Sequence, residues 1–146
     1  MIILHATCVE SEGRGILLQG PSGAGKSDLC LRLIDRGWRL VADDQVILNS
    51  SGSKLIGCPP ISLRGLIEVR GVGILHIAHA ISAPIYLVVD LVKFDSAERI
   101  PENVIWYFGS HKIPKIQICP FEISAIEKIS IALKEFYNNN CNKLHL

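Results

Sequence analysis

The sequence predicts an α/β fold organised on a phosphate-binding loop, and three observations carry that reading. Gly20-Pro21-Ser22-Gly23-Ala24-Gly25-Lys26-Ser27 spells G-x-x-x-x-G-K-[ST]. The apolar run Ile16-Leu17-Leu18-Gln19 leads into it and a helical pattern leads out from Lys26, the strand, loop and helix order the motif requires. Ile85-Tyr86-Leu87-Val88-Val89-Asp90 adds a continuous apolar run, the pattern of a strand buried inside a sheet.

The residue types explain the loop chemistry. Glycines let several backbone N–H groups turn toward one anion, and the start of the following helix adds its partial positive charge. In such a loop Lys26 reaches the terminal phosphates and the Ser27 hydroxyl ligates Mg²⁺. The bland alternative is a glycine-rich turn with no ligand, against which the flanking strand and helix weigh.

Length and composition bound the rest. The 146 residues suit one domain, 1–146, with a core that buries about two-thirds of the unfolded surface. With 49% apolar and 20% charged residues the chain falls in the globular regime. A net charge of +1, no basic run and few, scattered aromatics give no reason to expect a nucleic acid or an anionic membrane as partner. The longest apolar run, Ile85 to Val92, contains Asp90 and is far short of a membrane span, and the amino terminus lacks an export signal, so a cytoplasmic location is expected. Five scattered cysteines (Cys8, Cys30, Cys58, Cys119, Cys141) without a C-x-x-C pair point to reduced, buried thiols.

Taken in order, Met1 to Val9 is β-prone and is expected to pair with Gly15 to Gln19 through the polar turn Glu10 to Arg14, bringing His5 beside the phosphate loop or leaving it as an edge residue. From Lys26, Leu29, Leu33 and Ile34 share a helical face opposite Asp28, Arg32, Asp35 and Arg36, and Gly37 ends the helix. Trp38 to Ala42 is a short strand running into Asp43-Asp44, about sixteen residues after the loop. Paired carboxylates there suit a Mg²⁺-nucleotide site, one facing the metal and the other acting as a base, or form a solvated acidic turn.

Gln45 to Asn49 and Lys54 to Cys58 predict a hairpin closed by Ser50 to Ser53. Between Ile61 and Ile74, charged residues interrupt apolar sequence, and an extended segment would place Glu68 and Arg70 on one face. His76 and His79 have metal-ligand spacing but no accompanying third cluster. Asp90, ending its apolar strand, imitates a Walker B acid and competes with Asp43-Asp44 for the metal. Phe94 to His111 is expected to be an irregular surface excursion with one helical turn, followed by a short strand at Lys115 to Cys119. The last helix opens with the capping box Ser124 and Glu127, buries Ile126, Ile129, Leu133 and Phe136, and ends at Asn138 to Asn140 before a frayed tail.

These parts together resemble the catalytic domain of the bacterial HPr kinase/phosphorylase family, which phosphorylates a serine of the carrier HPr. The resemblance rests on His5, Gly20 to Ser27, Arg36-Gly37-x-Arg39-Leu40-Val41-Ala42-Asp43-Asp44 and Leu66-Ile67-Glu68-Val69-Arg70-Gly71-Val72-Gly73-Ile74. It implies a P-loop nucleotide-binding domain of the phosphoenolpyruvate-carboxykinase/HPr-kinase type, a mixed β-sheet flanked by helices. ATP and Mg²⁺ become the expected cofactors, an HPr-like protein the partner, and a homo-oligomer the assembly. Under the resemblance Asp43 or Asp44, with Asp43 favoured, accepts the substrate proton and Lys26 holds the transferred phosphate. Ser27, Glu68 and Asp44 hold Mg²⁺, His5 joins the catalytic site, and Arg99 stands where the family has an Asp-Arg pair. Asp90 becomes an ordinary strand residue.

The chain departs from the family in two places. The family's full-length members carry an amino-terminal domain, whereas this sequence begins almost at His5 and so resembles the shortened forms of some proteobacteria, and it reads Gln117-Ile118-Cys119-Pro120-Phe121-Glu122 where the family has P-V-R-P-G-R-N. Because the latter segment is associated with phosphate removal, a kinase with weak or absent phosphorylase activity is expected. The alternatives are a small-molecule phosphotransferase on the same fold and a non-catalytic ATP-binding regulator.

Overall fold

The computed structural model describes residues 2–102 and 104–138. In chain order these form β1 (Ile2–Leu4), β2 (Thr7–Ser11), β3 (Arg14–Gln19), α1 (Lys26–Asp35), β4 (Arg39–Ala42), β5 (Val46–Ser51) and β6 (Lys54–Cys58). They continue with β7 (Leu66–Val69), β8 (Gly73–His76), β9 (Ala83–Leu91), β10 (Ile105–Phe108), β11 (His111–Ile118) and α2 (Ala125–Asn138). Cys141 and the tail after Asn138 lie outside the described residues.

Strand β9 is the axis of a nine-stranded mixed sheet. Along one path the order is β1-β5-β6-β9-β3-β2-β4, and β11, which carries β10, pairs with β9 as a branch. Only the β3–β9 and β9–β11 pairs in this sheet are parallel. The branch arises because one edge of β9 meets β6 at Ala83 and Pro84 and β11 at Val88 to Leu91. Strands β7 and β8 form a separate antiparallel pair.

A register shift feeds both faces of β9. Gly15 pairs with Ile85 and Ile16 with Leu87, so Tyr86 is bulged out. Leu87, Val89 and Leu91 consequently enter one core with Ile16, Leu18 and the buried faces of α1 and α2, while Ile85 and Val88 enter a second. That second core contains Cys8, Leu17, Val41, Val46, Leu48, Leu55 and Ile113, all from strands, so the sheet curls to enclose it. Leu87 is fully buried in the first of these cores. Its truncation in Leu87→Ala is expected to cost about 2–5 kcal/mol, read from urea unfolding at unchanged m-value.

The expected helices are present: Leu29 and Leu33 of α1 are fully buried, and Ile126, Ile129 and Leu133 of α2 face the same core. The Glu127 carboxylate receives a hydrogen bond from Arg36 Nη1 at 3.1 Å, tying α2 to the end of α1. Free cysteines Cys8, Cys30 and Cys119 are buried, and burial pushes the Cys8 and Cys30 thiols far up, keeping them protonated.

Four boundaries differ from the sequence reading, each for a reason of pairing. The first strand is two, because β1 pairs with β5 whereas β2 pairs with β3 and β4, and the chain bends at His5 to change neighbours. The turn after β2 shrinks to Glu12-Gly13, both at positive φ (53° and 79°), the geometry of a two-residue hairpin loop. Residues 61–74 are not one extended segment: β7 and β8 fold into a hairpin, which leaves Arg70 in its turn. Finally, the excursion expected between 94 and 111 contains a strand rather than a helical turn, since Ile105-Trp106-Tyr107-Phe108 pairs with β11. Pro114 fits inside β11 because the strand changes partner there, from β10 to β9, and needs no donor.

Candidate active site

The loop between β3 and α1 is built as its glycines require. Gly23 and Gly25 have φ of 82° and 101°, left-handed values that favour glycine, and Gly25 is the cap of α1. A Cβ on Gly20 would come within 2.9 Å of Ala24 Cβ, and one on Gly25 within 2.9 Å of Pro120 Cγ. Lys26, the first helical residue, is buried; its ammonium donates to the carbonyls of Gly20 at 2.5 Å and Pro21 at 3.1 Å. The lysine thereby meets carbonyl dipoles of the loop itself.

The acid pair lies against this loop. Strand β4 ends at Ala42, and the half-buried Asp43 side chain reaches back, its Oδ1 accepting a hydrogen bond from Ser27 Oγ at 3.4 Å. Its Oδ2 accepts from the backbone N–H of Glu68 at 3.3 Å. One carboxylate thus joins the loop, the acid pair and the start of the β7–β8 hairpin. Burial is the main cause that pushes the Asp43 carboxyl above its ordinary value; the charge on Asp44 adds to it, and the Glu68, Thr7 and Ser27 donors pull partly against it.

Asp44 is turned the other way. Its φ of 68° is left-handed, a region aspartate tolerates better than most residues, and Gln45 N–H closes the turn on the Asp43 carbonyl at 2.8 Å. The Asp44 carboxylate lies 3.3 Å from His5 Nδ1, both side chains being more than half exposed. The bend between β1 and β2 therefore carries His5 beside the acid pair.

Not every candidate converges. The Glu68 side chain is exposed, and its contact with Asp43 is through the backbone. Arg99 is exposed in the segment after β9, and no hydrogen bond or ion pair joins it to the other candidates among the described residues. Its neighbour Glu98 is held to Gln117, backbone N–H to Oε1 at 2.9 Å. Asp90 pairs with Lys115 at 3.5 Å, which gives it a structural partner. His76 and His79 meet edge to face with ring centroids 5.6 Å apart, packed over Gly65.

Thr7 was not legible as a site residue. Fully buried in β2, it donates from Oγ1 to Asp43 Oδ1 at 3.4 Å and accepts from Asp44 N–H at 3.3 Å. Its partners are 36 and 37 residues away, so no local pattern marks it; a lone hydroxyl in an apolar run is the only signal.

The oxygen donors suit a hard cation. No group of three or more His, Cys, Asp or Glu side chains is disposed to hold a metal among the described residues. Mg²⁺ is commonly bound by one or two carboxylates together with substrate phosphates. A site shared between the Asp43-Asp44 turn, Ser27 and a phosphate in the adjoining loop has that composition.

Comparison with known proteins follows this geometry. The profile described as HPr Serine kinase C-terminal domain matches residues 1–132. The chain belongs to this family. An HPr kinase/phosphorylase of Mycoplasmopsis pulmonis is 37% identical over 127 residues, covering 79% of this chain and 41% of that protein. One from Clostridium tetani is 50% identical over 74 residues, 51% of this chain and 24% of its own. The chain therefore spans less than half the length of these curated relatives. The solved structure of the Hpr(Ser) kinase/phosphatase from Coxiella burnetii superposes with a TM-score of 0.78 at 26% identity, covering 96% of both chains. The curled mixed sheet is thus the family's fold.

Proposed function

We propose that this chain is an ATP- and Mg²⁺-dependent protein-serine kinase acting on an HPr-like carrier, with a P-loop domain of the carboxykinase type spanning residues 1–146. The single observation that carries the reading is the Asp43 carboxylate, bonded at once to Ser27 of the loop and to Glu68 of the family's signature segment. Family membership supplies the substrate class.

In this reading the loop amides bind the phosphates, and Lys26 leaves the Gly20 and Pro21 carbonyls to meet them. Ser27, Asp44 and Glu68 would hold Mg²⁺, which would supply positive charge beside the transferring group. Asp43, whose burial raises its affinity for a proton, takes the proton from the acceptor serine hydroxyl. His5 orients Asp44 from 3.3 Å. Arg99 would neutralise developing charge only after its segment moves inward. The buried free thiols suit a reducing, cytoplasmic setting, and a homo-oligomer belongs to the same reading. No described helix is long and apolar enough to cross a membrane.

Incubating the chain with Mg-ATP and HPr is expected to yield alkali-labile phosphoserine on HPr. No transfer, where a full-length relative is active under the same conditions, overturns the reading. Turnover restored by a metabolite instead would favour a small-molecule phosphotransferase.

A further inference from the structure

The two aspartates are adjacent in sequence yet face different partners, Asp43 the loop and Asp44 His5. Adjacent residues in a regular strand would also diverge, but this pair lies beyond the end of β4, in a turn that needs Asp44 at φ 68°. Aspartate tolerates that state and the Gln45 N–H closes the turn on the Asp43 carbonyl, while a further contact fixes where the turn sits against the sheet. The Asp44 N–H donates to Thr7 Oγ1 at 3.3 Å, and the same hydroxyl donates its hydrogen to Asp43 Oδ1 at 3.4 Å.

We propose that Thr7 is a positioning residue whose hydroxyl fixes the division of labour between the two aspartates. This rests on the proposed kinase function. A hydroxyl has one hydrogen to give. With the Asp44 amide occupying a lone pair, that hydrogen is committed to Asp43, so both ends of the turn are specified by one buried atom. Strand β2 is a firm base for it: Thr7 pairs with Leu18 in β3, and the next residue, Cys8, pairs with Ala42 at the end of β4. The oxygen therefore sits at a fixed height beside the point where β4 gives way to the turn. Without it the Asp44 amide and Asp43 Oδ1 lose a buried partner, and the turn can relax toward ordinary backbone values, swinging the Asp44 carboxylate away from His5. The role is distinct from catalysis: Thr7, fully buried, contacts the acids and not the substrate.

Thr7→Val keeps the shape and removes the hydroxyl; Thr7→Ser keeps the hydroxyl. Assayed with Mg-ATP and HPr, Thr7→Val is expected to lower kcat about 10- to 100-fold with KM for ATP within about twofold, and Thr7→Ser to recover most of the loss. In the ligand-free protein, amide hydrogen exchange is expected to quicken about 10-fold or more at Asp44 but not in the centre of β3. Wild-type kcat in Thr7→Val, equal impairment of Thr7→Val and Thr7→Ser, or unchanged exchange at Asp44 would each overturn the assignment. If the wild-type chain transfers nothing to HPr, the kinase reading falls and amide exchange alone decides whether Thr7 holds the turn. Thr7→Ala, read in the same way, replaces Thr7→Val if the latter does not fold.

Discussion

Asp43→Asn is expected to lower phosphate transfer to HPr by about 10²- to 10⁴-fold while making the folded chain more stable at neutral pH. The loss follows from removing the proton acceptor, since an amide keeps the shape of the carboxylate, with its oxygen toward the Glu68 N–H and its NH2 toward the Thr7 and Ser27 hydroxyls, which can turn to accept, but not its basicity. The gain follows from the direction in which burial moves this carboxyl. A value raised in the folded state means that the native chain holds the proton more tightly than the unfolded one. The group's contribution to stability is then fully present below the unfolded carboxyl's range and is lost as pH rises through the native value. Above the unfolded carboxyl's range the cost of ionising the buried Asp43 opposes folding, and Asn, neutral throughout, carries no such cost. Thermal unfolding of both proteins at pH 7.5 and near pH 3 checks the sign: Asp43→Asn melts higher at pH 7.5, and the advantage disappears in acid. A variant that transfers phosphate at the wild-type rate would move the base role to another group, with Asp44 the nearest candidate.

Lys26→Met is expected to act on two states at once. In the nucleotide-bound state it removes the positive charge that meets the phosphates, costing about 10²- to 10³-fold in transfer and weakening nucleotide binding. In the ligand-free state it strips the Gly20 and Pro21 carbonyls of the ammonium they now share, lowering Tm before any ligand is added. The two effects separate in a thermal-shift titration with Mg-ATP. The baseline Tm reports the lost internal hydrogen bonds, and the ligand-induced rise reports the lost phosphate contact. A ligand-induced rise equal to that of the wild type would show that the lysine does not meet the phosphates. Arginine is a poor replacement here, because the site is buried and shaped for a compact ammonium at the end of a flexible stem.

What could be read from the sequence divides by the range of the interaction. The loop, α1 and α2 are legible because their signals are local: the spacing of Gly20, Gly25 and Lys26, and apolar residues three or four apart such as Leu29 and Leu33. Strand β9 is legible because a strand with core on both faces leaves a continuous apolar run. Neighbours in the sheet are not legible, since period-2 alternation assigns a face and says nothing about which strand lies alongside. That is why β1 is expected beside β3 and stands beside β5; β10, by contrast, carries its own short β-prone run, Ile105-Trp106-Tyr107-Phe108, masked only by the polar residues on either side of it. Within the site, Lys26, Ser27 and the aspartates announce themselves by charge and motif. Thr7 announces nothing, because its meaning comes from two hydrogen bonds across 36 and 37 residues. Arg99, placed by resemblance, stands apart from the acids because its own neighbour Glu98 is held to Gln117 at the far side of that segment.

The closeness of Gly25 to residues 120–121 has a consequence for how substitutions combine. A Cβ at position 25 would lie 2.9 Å from Pro120 Cγ and 3.1 Å from Phe121 Cζ, while Arg32, further along α1, donates to the Pro120 carbonyl. The loop and the turn before α2 therefore occupy one shared volume, and each is tolerated only because the other is shaped as it is. Substitutions at 25 and at 120 or 121 would not be independent events: a smaller residue at 120 relieves the contact that excludes a side chain at 25, though not the φ of 101° that also favours glycine there. The segment that separates this chain from the arginine-rich pattern of its family is thus not a free edit at the periphery, since what can stand there is limited by the loop it touches.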